Sequence, residues 1–169
     1  EHYRHVIASL PAAPQDLAKR MHKSVDDECN ALALAVPHLS IEPGRAIVGP
    51  AVFTLYEVGT VKDVEGLRTY VSVDGGMSDN IRAALYDASY SATLASRASR
   101  VTPVLARVVG KHCESGDIVV KDEFLPADVQ PGDLVAVPGT GAYCRSMASN
   151  YNHVPRPPVV AVRDGQARV

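Results

Sequence analysis

The chain has 169 residues, a formal net charge of -2 and 46% hydrophobic side chains. That supplies apolar surface for one core, or one core and a further piece, and too little positive charge for a general nucleic-acid or membrane-surface binder. No apolar run approaches the roughly 20 residues of a membrane span. The opening residues Glu1-His2-Tyr3-Arg4-His5 have neither a starting Met nor the form of a signal peptide. Cys29, Cys113 and Cys144 lie far apart, in neither a zinc spacing nor a disulfide framework, which predicts reduced thiols and a cytoplasmic setting. With no Trp and two Phe, aliphatic side chains must carry the core.

Residues 6–10 form a short apolar run ended by Pro11. Residues 14–35 read as one long amphipathic helix, with Pro14 suited to its first turn. Leu17, Met21, Val25, Cys29 and Leu32 recur at spacings of three or four and predict a buried stripe. Asp26, Asp27 and Glu28 are consecutive, so on a helix they point apart and read as a solvated face. After Pro37, Leu39-Ser40-Ile41 predicts a short strand running into Glu42-Pro43-Gly44-Arg45. Helix, short strand and polar turn is the rhythm of an α/β barrel or a doubly wound sheet, whose sites sit at the carboxyl ends of the strands.

Beyond Pro50 the pattern changes to β. Strands are predicted at 52–64, 68–74, 88–95, 102–110, 117–121, 133–137 and 158–163, with short helical pieces around 79–86 and 141–149. Pro131-Gly132-Asp133, Gly139-Thr140-Gly141 and a hairpin turn at Asp164-Gly165 separate them. The expected fold class is therefore mainly β. A C-terminal β-sandwich or barrel domain, residues 51–169, follows the last αβ unit of a truncated (β/α)8 barrel, residues 1–50. Both chain ends read as cut.

Four clusters carry polar chemistry. Glu42-Pro43-Gly44-Arg45 offers a carboxylate for a protonated ring nitrogen, a glycine that lets backbone approach a phosphate, and a bidentate fork; it also reads as a turn with a surface ion pair. Asp74-Gly75-Gly76-Met77-Ser78-Asp79 predicts a turn into a helix capped by Ser78 or Asp79. Arg82 and Tyr86, four apart, then share a helix face and can converge on an anion, unless the segment is only a capped surface helix. Gly110-Lys111-His112-Cys113-Glu114-Ser115-Gly116-Asp117 gathers a lysine, an imidazole, a thiol and two carboxylates at the end of an apolar strand. There Cys113 suits a proton donor or nucleophile and Glu114 an ammonium, although a lone cysteine also reads as a small buried hydrophobe. Gly139-Thr140-Gly141-Ala142-Tyr143-Cys144-Arg145 is a glycine-rich turn into a short helix, with Tyr143 able to bond a phosphate or stack on a ring and Cys144 read as packing.

Taken in order, EPGR, YVSVDGGMSDNIR, GKHCESGD, PGDL and GAYCRSMASNYN resemble the C-terminal part of the diaminopimelate decarboxylases, pyridoxal-phosphate enzymes with an alanine-racemase-like barrel and a β domain. The resemblance covers about residues 6–169. It implies that Glu42 pairs with the pyridine nitrogen of pyridoxal 5'-phosphate, and that Gly44, Arg45 and Tyr143 lie at the cofactor. Arg45, Arg82, Tyr86 and Tyr143 would meet the small-molecule substrate, chiefly its carboxylate. Cys113 would protonate the carbanion left after CO2 departs, and Glu114 would recognise the amino group at the far, D-configured centre of meso-diaminopimelate. A homodimer with the site shared across its interface is implied, with no metal, nucleic acid or membrane involved. The five lysines, Lys19, Lys23, Lys62, Lys111 and Lys121, match no Schiff-base context, so the chain is expected to be an incomplete portion of such an enzyme, inactive alone. Relatives acting on ornithine or arginine usually carry Cys-Asp where this chain has Cys113-Glu114. Such a sister decarboxylase, or a non-catalytic dimerisation domain, is the alternative.

Overall fold

The computed structural model describes residues 13–169. The apolar run at 6–10 lies outside the described residues. Two compact units divide the chain between Ala46 and Ile47.

In the first unit, α1 spans Pro14–Ala31 with proline in the first turn. Lys23 and Asp27, 2.6 Å apart, form an exposed i,i+4 pair that contributes little. The helix was expected to reach residue 35 and stops earlier. Ala33 turns left-handed (φ 53°), its N–H donates to Asn30 O, and the Leu34 N–H donates to Cys29 O at 2.8 Å, so a Schellman motif closes the helix. No α1 residue is buried. Leu17 and Met21 remain 39% and 38% exposed, against the expected buried stripe, because no described element of this unit covers that face. Residues 39–41 are irregular rather than a strand. A strand holds its shape through a ladder, and no described strand of this unit offers one. A one-turn helix, α2, follows at Arg45–Val48.

The second unit is built on one six-stranded sheet, β3-β6-β1-β2-β4-β5. Its strands are β1 (Phe53–Val64), β2 (Arg68–Val73), β3 (Thr93–Leu94), β4 (Pro103–Val109), β5 (Ile118–Pro126) and β6 (Leu134–Pro138). The expected strand at 88–95 shrinks to two residues, whereas β5 runs past its expected end at 121. A terminal hairpin pairs β7 (Ala161–Arg163) with β8 (Gln166–Arg168) across Asp164-Gly165. Alternation places Thr69, Val71 and Val73 of β2 and Ala106 and Val108 of β4 inward. Val58, Val119, Val120, Leu125, Val135 and Val137 complete a core of β-branched and aliphatic side chains. Each such residue, once buried, contributes about 1.5–3 kcal/mol. The Ala92 N–H, just ahead of β3, donates to the Glu123 carboxylate of β5 at 3.1 Å. The two edge strands thus approach, and the sheet curls into a nearly closed barrel.

Strand direction decides where the polar loops go. β2 pairs parallel with β4, and β1 runs antiparallel to both β2 and β6. β2, β4 and β6 therefore point the same way, and the loops after them, beginning at 74, 110 and 139, leave the sheet at one end.

Asp117, 4% exposed, ties two of those loops together. Its carboxylate accepts the Met77 N–H at 2.6 Å and the His112 N–H at 2.7 Å. Its own N–H donates to Glu114 O, and its carbonyl accepts the Gly110 N–H. A Cβ at Gly76 (φ 152°) or at Gly110 would run into this carboxylate. At the opposite end of the sheet, Arg97 forks onto Asp133 with Nε and Nη2 at 2.9 Å and reaches Asp128 with Nη1 at 2.8 Å. This clamp holds both Asp133 and Asp128 below the usual carboxylate range.

Asp117→Ala leaves two buried backbone N–H groups without an acceptor. It is expected to lower unfolding free energy by about 2–4 kcal/mol in denaturant titration, more than a surface Asp→Ala. The Arg97 clamp contributes stability above the unfolded carboxylate pKa of about 4 and loses it as pH falls through the depressed folded values. In Arg97→Ala, the acid side of the stability profile should be flatter than in wild type by thermal melts between pH 7 and 3.

Candidate functional site

The three loops at the common end hold most of the chemistry singled out in the sequence. The first, after β2, is not capped as expected. The helix α3 (Arg82–Tyr86) begins after Ile81, with no side-chain cap. Asp79 instead accepts the Gly76 N–H at 2.6 Å and the Tyr56 hydroxyl, because it turns back into the barrel mouth. Burial pushes both the Asp79 carboxyl and the Tyr56 phenol up from their ordinary values. Ser78, 3% exposed, turns toward the second loop.

Arg82 and Tyr86 do share a face of α3. The Arg82 guanidinium lies 5.3 Å from the Tyr86 ring centroid and 5.1 Å from that of Tyr143, which arrives from the third loop. Arg68, Arg97 and Arg107 each pair with an aspartate, whereas Arg82 makes no salt bridge among the described residues. Ring faces orient its charge without neutralising it. Tyr143 sits in left-handed backbone (φ 68°), 49% exposed, ahead of the helix α4 (Cys144–Met147). Cys144 is buried, its thiol 3.5 Å from Asn80 Oδ1 and from the Tyr90 hydroxyl, which is the packing role expected of it.

The second loop, after β4, is the turn expected at a strand end. Cys113 and Glu114 are exposed on it, and His112 is buried beneath. His112 Nε2 lies 2.8 Å from Ser78 Oγ, and the imidazole ring meets the Tyr151 ring at 5.3 Å. The Tyr151 hydroxyl donates to Glu114 Oε1 at 2.5 Å. An open hollow of about 360 Å³ beside this loop is lined by Glu114 and His112, with Arg107 and Tyr70 from the sheet. Among the described residues, no group of three or more His, Cys, Asp or Glu is placed to hold a metal ion. No described helix is long and apolar enough to cross a membrane.

Arg82, Tyr86 and Tyr143 thus come together, and Cys113 and Glu114 stand at the same end of the sheet. Glu42, Gly44 and Arg45 belong to the first unit, exposed in the turn leading into α2. Sequence reasoning read Ser78 as a cap, placed Asp117 in the polar turn without a partner, and missed Tyr151. The glycines at 76 and 110 were the available signal for Asp117, since a glycine marks backbone that something must approach. Nothing local marked Tyr151.

The arrangement offers a guanidinium between two phenols, with no salt bridge among the described residues, and an exposed carboxylate and thiol on the neighbouring loop. A family model described as "Pyridoxal-dependent decarboxylase, C-terminal sheet domain" matches residues 16–141. Diaminopimelate decarboxylase of Mycobacterium tuberculosis is 59% identical over 163 residues, 94% of this chain and 36% of that protein. The crystal structure of diaminopimelate decarboxylase from Helicobacter pylori complexed with L-lysine is similar at a TM-score of 0.67 and 37% identity, over 82% of this chain and 33% of that one. Lysine/ornithine decarboxylase from Vibrio vulnificus complexed with cadaverine is less so, at a TM-score of 0.59 and 28% identity over 78% of this chain and 37% of that one. The chain spans about a third of the length of the curated relatives it matches, 36% in the M. tuberculosis protein. Sheet and family match agree: the chain belongs to the pyridoxal-dependent decarboxylases and carries their C-terminal sheet domain.

Proposed function

We propose that this chain is a portion of a meso-diaminopimelate decarboxylase, which converts meso-2,6-diaminopimelate to L-lysine and CO2 in the last step of lysine biosynthesis. The observation that carries the reading is that one end of the sheet presents both signs of charge, the arginine serving a copy's own site and the carboxylate the site of its partner. Arg82, which makes no salt bridge among the described residues, and an exposed carboxylate, Glu114, follow the parallel strands β2 and β4. Diaminopimelate has two carboxylates and two ammonium groups, so its recognition needs both kinds of partner at fixed separation. Likeness to the H. pylori enzyme, whose structure holds L-lysine, supports the same choice.

The donor set suits pyridoxal phosphate. Glu42 supplies a carboxylate for the ring nitrogen, Gly44 exposed backbone for the phosphate and Arg45 a fork. When bound, the cofactor supplies an electron sink for the bond to the departing carboxylate. The chain's own residues do the rest. Arg82 and Tyr86, with Tyr143, hold a substrate carboxylate through charge-assisted hydrogen bonds. Glu114 accepts the ammonium of the far centre. The Cys113 thiol carries the proton delivered to the carbon that has lost CO2, and its exposure leaves it free to do so. We assign the complete site to a homodimer, each copy offering Cys113 and Glu114 to the other. The Schiff-base lysine is outside these 169 residues, so this chain alone has no turnover.

A decarboxylase of ornithine or arginine type is the second reading, favoured by the likeness to the V. vulnificus enzyme and weakened by its lower identity. The full-length protein loaded with pyridoxal phosphate should release CO2 from meso-diaminopimelate and not from ornithine, arginine or L-lysine. A preference for ornithine, or turnover by the 169-residue chain alone, would overturn the proposal. Cys113→Ala should lower kcat by about 10²–10⁴-fold with KM nearly held, by the usual worth of a positioned proton donor. Glu114→Asp should cost about 10–100-fold in kcat/KM for diaminopimelate, as expected for a displaced charge-assisted hydrogen bond.

A further inference from the structure

A carboxylate on an exposed loop samples many rotamers, and a group that measures the distance between two charges must sample few. We propose that Tyr151 is the positioning residue for Glu114, the last member of a relay running from Ser78 through His112 and Tyr151 to the Glu114 carboxylate. The inference rests on the reading of Glu114 as the group that accepts the substrate's far ammonium.

The relay is anchored at its buried end. Ser78 and His112 are 3% and 8% exposed, and Ser78 Oγ lies 2.8 Å from His112 Nε2. The His112 backbone is itself held by Asp117. On this fixed imidazole the Tyr151 ring rests at 5.3 Å between centroids and 50° between planes. Ser149 secures the same tyrosine from its own segment. The Ser149 N–H donates to Ser78 O at 2.8 Å, and Ser149 Oγ accepts the Tyr151 N–H at 3.3 Å. With ring and backbone both held, the Tyr151 hydroxyl reaches Glu114 Oε1 at 2.5 Å. The other oxygen, Oε2, has no partner among the described residues and is left for an ammonium.

The electrostatics agree. Hydrogen bonding to Glu114 is the largest influence raising the Tyr151 phenol above its ordinary range, with the charges of Glu114 and Cys113 adding to it. An aspartate at position 114 would be one methylene short of the phenol. The relay therefore favours glutamate there through Tyr151 as well as through the substrate.

In the full-length enzyme, Tyr151→Phe keeps the ring on His112 and removes only the donor. KM for meso-diaminopimelate should rise about five- to tenfold with kcat within about twofold, the pattern of a lost binding contact. Added to Glu114→Asp, the same change should cost nothing more, because the contact is already gone. An unchanged KM, or equal losses in both backgrounds, overturns the proposal. A second measurement does not use the reaction: NMR titration of the protein carrying Cζ-labelled tyrosine. The Tyr151 phenol should titrate above an ordinary tyrosine and move down in Glu114→Gln. A Tyr151 titration indifferent to Glu114→Gln overturns the pairing whatever the substrate. If that titration responds while wild type leaves diaminopimelate untouched, the pairing stands and the substrate reading falls.

Discussion

The working end of the second unit depends on one carboxylate. Asp117 takes a backbone N–H from the loop after β2 and another from its own loop, and both contacts are short, the second fully buried. An ionised carboxylate can only accept, so two amide donors on different loops satisfy it in a way a single hydroxyl would not. The geometry demands empty space on two sides, and Gly76 and Gly110 provide it. Each loop consequently takes its shape from the other. A segment carrying Lys111, His112, Cys113 and Glu114 is held in a defined turn because its buried polar groups are satisfied, while Lys111, Cys113 and Glu114 stay exposed.

Charge is distributed in two distinct ways around the barrel. At the end away from the site, Arg97 is saturated by Asp128 and Asp133, and the outer face pairs Arg68 and Arg107 with Asp122. Those are structural cations. Arg82 differs in kind: it is partly buried, flanked by the faces of Tyr86 and Tyr143, and met by no acid among the described residues. Aromatic faces hold a guanidinium in place without neutralising its charge.

The fold builds this end through strand direction. A parallel β2–β4 pair sends the DGGMSD and GKHCESGD segments out side by side, and the antiparallel β1 brings β6 and the Tyr143 segment into the same orientation. Parallel neighbours need a long crossover, and here residues 74–102 supply it, carrying α3 and β3 on the way. The crossover therefore both connects the strands and carries Arg82 and Tyr86.

Much of this was legible in the sequence wherever the signal is local. Alternating β-branched residues marked β1, β2, β4 and β6, Asp164-Gly165 marked the final hairpin, and the spacing of Arg82 and Tyr86 put them on one face before any coordinates. The five motifs in order carried the resemblance to the family. What sequence could not supply were pairings between distant positions and the choices local groups make among competing partners. Ser78 and Asp79 are good caps in isolation, yet His112 and Tyr56 claimed them from across the fold. The strand expected at 39–41 and the stripe expected to be buried on α1 needed neighbours that the first unit does not place on them. Met77 meets Asp117 across 40 positions and Tyr151 meets Glu114 across 37. Hydrogen bonds of that range leave no periodicity behind. They exist only once strand order has brought the loops together, so the tertiary structure alone decided which side chains hold the site in place.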